Sequence, residues 1–216
     1  VICSDKTGRM TENKMTVTHL WANNEVWNVS GQGYEPIGEF LKSKRKMDPT
    51  KDVHFNKLLS FAMLCNHAEI IGKKGDYKLD GDPTEGALLV AGMKAGFSRD
   101  KLLKEYKIIQ EFPFDSARKM MTIIVQDKKG DRYAITKGAP DILINLSESV
   151  FANGRQQYLN QQWKSQLQHA VESLAEQALR TIAISYKKLN TKTKFSHESE
   201  VEKDLTAKIT RLESQR

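Results

Sequence analysis

Three apolar runs follow one another closely between Tyr106 and Thr136, and they constrain the fold more than any other feature of the chain. Tyr106 to Phe112, Met120 to Gln126 and Arg132 to Thr136 each have strand length, and Asp127-Lys128-Lys129-Gly130 joins the last two as a hairpin loop. Strands joined this tightly pair antiparallel. Upstream, Met15 to Trp21 alternates, Asn23-Asn24 makes a turn and Val26 to Val29 alternates back, giving a second hairpin; Thr181 to Tyr186 alternates as a final strand. Helical spacing marks His54 to Cys65, through Phe55, Leu58, Leu59, Ala62 and Met63, and Asn160 to Ala178, through Trp163, Leu167 and Val171. Another helix, Glu85 to Lys94, opens with Asp82 as N-cap and Pro83 at the first helical position, and Pro140 to Leu146 makes a short one. Ser30 to Lys51, with Gly31, Gly33, Pro36, Gly38 and Pro49, reads as a long loop. These elements predict an α+β fold, an antiparallel sheet of about six strands with helices on its faces.

The first residues do not fit that sheet. Val1-Ile2-Cys3 reads as the tail of a buried strand, which places Asp5 just past a carboxyl end, where a carboxylate suits a nucleophile or metal ligand. The residue types of Asp5-Lys6-Thr7-Gly8 are also those of an ordinary turn. No βαβ unit downstream offers this strand a partner, so residues 1 to 8 read as the edge of another domain into which the α+β domain is inserted. The missing initial Met agrees with a piece of a longer chain.

No apolar stretch approaches the roughly 18 residues of a membrane span; the longest, Gly86 to Met93, is interrupted by glycine and stops at Lys94. Cys3 and Cys65 form neither a metal-ligand spacing nor a disulfide framework, which points to a reduced, cytosolic setting. The net charge of +7 favours an anionic partner: nucleic acid, an anionic membrane or a polyphosphate such as ATP. Lys and Arg are spread over hairpin tips such as Lys73-Lys74-Gly75 and Lys128-Lys129-Gly130, which reads as a solvated surface.

Five motifs occur in order. They are Asp5-Lys6-Thr7-Gly8 with Thr11-Glu12-Asn13-Lys14-Met15, Gly81-Asp82-Pro83-Thr84-Glu85-Gly86-Ala87-Leu88, Phe112-Pro113-Phe114-Asp115-Ser116-Ala117-Arg118-Lys119, Thr136-Lys137-Gly138-Ala139-Pro140 and Ala178-Leu179-Arg180. Together they resemble the P-type cation-transporting ATPases, most of all the calcium-pump branch of type II in a bacterial form, over residues 1 to about 205. The resemblance implies an ATP-binding domain on the cytoplasmic side of the cell membrane. Residues 1–13 would be the edge of the phosphorylation domain and 14–205 the nucleotide-binding domain. Residues 206–216, where Ala207 to Arg216 does not continue into the family's Asp-Pro-Pro hinge segment, would be a tail outside the fold. Implied partners are ATP and the remaining phosphorylation, actuator and transmembrane domains of the parent pump, with no nucleic acid, no direct membrane contact and a monomeric state.

By the same resemblance, Asp5 accepts the γ-phosphoryl group, Thr7 helps position it, and both meet Mg²⁺ in the intact pump. Such transfer is mostly positioning and charge stabilisation. The family's further acidic residues and downstream Lys have no match here, so the chain is expected to bind ATP without turning it over. Phe114 matches the aromatic that stacks on adenine, and Glu85 the carboxylate that accepts from the adenine amino group. Lys137 matches a lysine deep in the pocket, Gly138 a glycine that lets the backbone approach the ligand, and Lys119 and Arg180 cations facing the phosphates. Without the resemblance these positions read otherwise. Phe114 between apolar strands reads as core, Glu85 as an exposed first-turn acid and Lys137 as surface. Arg118 points away from Lys119 and toward solvent, while Asp82 and Thr84 cap a helix.

Two departures stand out. Arg9-Met10 replaces the family's usual Thr-Leu after Asp-Lys-Thr-Gly, and Ser116 stands where animal reticulum calcium pumps carry an Arg that faces the nucleotide. The competing readings are a basic nucleic-acid-binding module and a phosphotransferase or phosphatase using Asp5.

Overall fold

The computed structural model describes residues 14–175, 180–190 and 194–214. Its elements are, in order, β1 (Met15–Ala22), β2 (Glu25–Val29), β3 (Phe40–Lys42), β4 (Arg45–Met47), α1 (Val53–Leu64), β5 (Glu69–Lys73), β6 (Asp76–Asp80), α2 (Pro83–Lys94) and α3 (Arg99–Glu105). There follow β7 (Tyr106–Asp115), β8 (Met120–Asp127), β9 (Arg132–Gly138), α4 (Pro140–Asn145), β10 (Ser147–Ala152), β11 (Arg155–Tyr158), α5 (Gln161–Ala175), β12 (Arg180–Leu189) and β13 (Leu205–Ser214).

The α+β class holds, but the sheet has eleven strands rather than about six, in the path β4-β3-β2-β1-β13-β12-β9-β8-β7, with the β10–β11 hairpin joined to β13. Pairing is antiparallel throughout except between β10 and β13. The β5–β6 ribbon stands apart. The additional strands β3, β4, β10 and β11 have three to six residues each, too few for alternation to identify them, and two lie inside the stretch expected to be loop.

The larger correction concerns the end of the chain. Residues 206–216 were expected to lie outside the fold, yet β13 runs to Ser214 between β1 and β12. Its register on one side runs from Arg180↔Leu212 to Tyr186↔Thr206, and on the other from Met15↔Ser214 to Trp21↔Ile209. A central strand supplies backbone partners to both neighbours, a demand that no family motif records. Leu205, Thr206 and Ala207 are buried.

Helices α1 and α2 pack together on one face of the sheet. Asp52 and Asp82 cap them: Asp52 accepts from the amides of His54 (2.8 Å) and Phe55 (3.1 Å), Asp82 from those of Thr84 (2.8 Å) and Glu85 (3.2 Å). The Trp27 and Phe55 rings stack at 3.7 Å between centroids, and Phe61 meets Tyr106, Tyr133 and Tyr186 at 5.4–6.1 Å. The predicted helix to Ala178 ends, within the described residues, at Ala175.

At the end of α2, the Lys94 ammonium group donates to the carbonyl oxygens of Ser30 (2.8 Å) and Gly31 (2.9 Å), tying the 30–38 loop to the helix. Burial pushes its pKa from 10.5 down to about 8. Between those values the unfolded chain binds more protons than the folded one, so this residue's contribution to stability rises with pH and is lost as pH falls toward 8. The difference in urea stability between the unmodified chain and Lys94→Met should therefore shift in favour of the unmodified chain as pH goes from 8 to 9.5. A pH-independent difference would place the Lys94 pKa at its ordinary value.

Candidate functional site

Glu85, Phe114, Lys119, Lys137, Gly138 and Arg180 come from five separate elements or turns, and all six line one cavity of about 450 Å³. It lies where the N-terminus of α2 meets the ends of β7, β8, β9 and β12. A larger cavity of about 720 Å³, between the Tyr34-Glu35 loop and the β5–β6 ribbon, contains none of them. The smaller one is the candidate, because an open aromatic face, a buried ion pair and rim cations converge in it.

Each residue reaches the cavity for a local reason. Phe112 pairs with Thr122 and Asp115 with Met120, so β7 holds one residue more than β8 across this interval. That bulge reverses the alternation: Phe112 faces the cluster of Ile124, Ala134 and Val201, while Phe114, two residues on, faces the other way. The Phe114 ring is 61% exposed, so the core reading of this residue is wrong. The next turn is fixed by Asp115, which accepts from the amides of Ala117 (2.9 Å) and Arg118 (2.8 Å), and Lys119 follows with a φ of 53°. Ser116 sits exposed on that turn and brings no charge.

Arg118 does point away from Lys119, but not to solvent. Its guanidinium donates to Glu202 (2.6 Å) and to the carbonyl of Pro113 (2.9 Å), and Glu202 also accepts from the Thr122 hydroxyl at 2.6 Å. This buried network anchors the Phe114–Lys119 turn from behind the sheet.

Lys137 and Glu85 form the polar floor. Both were read from the residues alone as surface, yet Lys137 is 7% exposed and its ammonium group is hydrogen-bonded to the Glu85 carboxylate. Strand β9 lies inside the sheet between β8 and β12, and the first turn of α2 covers its end, which is why a strand-end lysine is buried here. The second Glu85 oxygen accepts from the His67 amide at 2.9 Å. With both carboxylate oxygens engaged, the floor is nearly neutral and rigid, and lone pairs remain on the carboxylate for a further donor.

Gly138 lines the cavity and also serves the fold. A side chain there would come within 2.5 Å of the Met120 Cβ and 2.6 Å of the Lys119 carbonyl oxygen, so its missing Cβ makes room for the chain's own β8. Asp82 caps α2 as expected, whereas Thr84 does not: it lies inside the first turn, donates its amide to Asp82 and has its buried hydroxyl 3.6 Å from the Met15 sulfur; both residues border the cavity.

Sequence reasoning missed Met121, Ile182 and Thr181 in the lining. Met121 lies opposite Lys137 in register and Ile182 lies two residues after Arg180, so strand alternation alone places them on the cavity face. They give the site its apolar wall. The Thr181 hydroxyl oxygen is buried without a hydrogen-bond partner among the described residues. Lys119 and Arg180 are exposed, and among the described residues neither takes part in an ion pair. The arrangement is an apolar slot with one open aromatic face, a carboxylate acceptor at its floor and two cations at its rim. Chemically it suits a flat base bearing an amino group, with an anionic extension.

Asp5 and Thr7, expected to meet phosphate and Mg²⁺, lie outside the described residues, as does Cys3. Among the described residues no group of three or more His, Cys, Asp or Glu side chains could hold a metal ion. Cys65 is fully buried, its thiol pushed up to about 12, so it is an inert core residue. No helix among the described residues is long and apolar enough to cross a membrane.

Comparison with known proteins shows the family. Residues 54–209 match the family model described as the P-type ATPase cytoplasmic domain N. A calcium-transporting ATPase of Bacillus subtilis is 47% identical over 206 residues, covering 95% of this chain and 23% of that protein. Calcium-transporting ATPase 1 of Bacillus cereus is 36% identical over 88% of the chain and 19% of its own length, and the cation-transporting ATPase pma1 of Synechocystis is 35% identical over 87% and 21%. The chain thus spans about a fifth of the length of these relatives.

Proposed function

We propose, from the premise that this chain belongs to the P-type ATPase family as its cytoplasmic domain N, that it binds ATP in the 450 Å³ cavity and presents it to Asp5 in an intact calcium pump. The observation that carries this reading is the convergence of Glu85, Phe114, Lys119, Lys137 and Arg180 on that one cavity. Adenine stacks on the open face of Phe114 and donates its amino protons to the Glu85 carboxylate. Lys137 holds that carboxylate in place, while Lys119 and Arg180, which join no ion pair among the described residues, face the phosphates and favour a polyanion.

In the intact pump an Asp5 carboxylate oxygen attacks the γ-phosphorus, the bond to the bridging oxygen breaks, and ADP leaves. Asp5 and Thr7, together with the rest of the phosphorylation domain, would hold Mg²⁺, which would supply positive charge against the repulsion between the phosphate and the attacking carboxylate. Residues 1–13 belong to that domain, and residues from 14 onward to the nucleotide-binding domain. The other partners are the actuator and transmembrane domains of the parent protein. Calcium as the transported ion is supported by the names of relatives, of which the one from Bacillus subtilis is called a calcium-transporting ATPase.

Phe114→Ala tests the pocket. Its ring is largely exposed, so its loss should leave the melting temperature unchanged while weakening ATP binding about tenfold, the scale of one base-aromatic stack. Scanning calorimetry gives the melting temperature and calorimetric titration the affinity, and unchanged affinity in the folded variant would remove the stacking role.

A further inference from the structure

The Glu85 residue is held from a second side. Just after α1, Asn66 is 1% exposed and spends both ends of its amide: its Nδ2 donates to the Glu85 carbonyl oxygen at 2.8 Å, and its Oδ1 accepts from the Ala68 amide at 2.9 Å. The neighbouring His67 amide donates to the Glu85 carboxylate, and the Asn66 carbonyl accepts from the Arg99 guanidinium of α3. Gly81, with a φ of 121°, lets Ala68 come within 3.0 Å of where a Cβ would stand, so the 66–68 turn lies directly against the start of α2. The turn therefore grips Glu85 at its main chain and its side chain at once.

We propose that Asn66 is a positioning residue for base discrimination, acting through Glu85; the inference rests on the ATP-binding reading above. An acceptor held rigidly opposite the exocyclic position favours adenine, which presents an amino donor there, over guanine, which presents a carbonyl acceptor. Such discrimination depends on the carboxylate staying where it is. If the Asn66 clamp is lost, Glu85 can turn aside, and the penalty against guanine falls while the stacking and phosphate contacts remain.

Asn66→Asp is nearly isosteric. It keeps the acceptor for the Ala68 amide but sets an oxygen against the Glu85 carbonyl where a donor had been. Asn66→Ser, smaller and uncharged, is the second variant should the aspartate variant not fold. Affinities for ATP and GTP are measured for both, for Glu85→Gln and for the double variant Asn66→Asp/Glu85→Gln. The expected result is a fall of about tenfold in the ATP-to-GTP preference, as ATP loses its acceptor and GTP its repulsion, with no further loss when Asn66→Asp is added to Glu85→Gln. Equal weakening of both nucleotides, or an unchanged ratio beside a loss of preference in Glu85→Gln, overturns the role of Asn66 alone. An unmodified chain that binds both nucleotides equally overturns this inference, and one that does not bind ATP overturns the ATP-binding reading and this inference with it.

Discussion

Ending the chain at Asp204 should abolish its cooperative fold. The truncation removes β13, and with it the backbone partners of β12 from Arg180 to Tyr186 and of β1 from Met15 to Trp21. Two newly exposed edges would then replace the centre of one sheet, and the β10–β11 hairpin would lose its attachment. Each buried backbone group left unpaired costs about 1–3 kcal/mol, so a strand of this length outweighs the roughly 5–15 kcal/mol of net stability that a domain possesses. Circular dichroism should show no cooperative melt and no near-ultraviolet signal. A cooperative transition close to that of the full chain would mean that β13 is peripheral.

Removal of one partner of the buried Lys137–Glu85 pair should destabilise the domain without unfolding it, and removal of both should cost less. Lys137→Met leaves the Glu85 carboxylate, whose side chain is 15% exposed, with the His67 amide as its one remaining hydrogen-bond donor among the described residues. An uncompensated buried charge of this kind costs about 3 kcal/mol, or about 6–12 °C in melting temperature for a domain of this size. Lys137→Met/Glu85→Gln removes the charge as well and should recover more than half of that loss. ATP binding should be lost in both variants. Recovery of stability without recovery of binding separates the two jobs of the pair, whereas a double variant that binds ATP normally would show that the pair is structural only.

How far such details were legible in the sequence depends on whether the determinant is local. The capping of α2 by Asp82, with Pro83 in its first turn, could be read directly, because a cap and its helix lie within four residues. Phe114 could not be placed by alternation. A bulge inverts the pattern between Phe112 and Asp115, and a bulge is a property of two strands in register. Lys137 has the same difficulty: its burial comes from β12 and α2, both remote in sequence, and a lysine without its neighbours looks like surface. The family motifs found both residues because they record the outcome of such pairings without their geometry. Where the motifs stopped, so did that help. No motif marks β13, and nothing local to Asn66 signals the bond that it makes to a residue 19 positions away.

The most direct test of the account is a titration of the folded 216-residue chain with ATP, followed by backbone amide NMR shifts, with GTP as comparison. Saturable shifts clustered at Glu85, Phe114, Lys119, Lys137 and Gly138, larger for ATP than for GTP, are the predicted result. No saturable shift at millimolar ATP, or shifts confined to the larger cavity beside Tyr34, would contradict it.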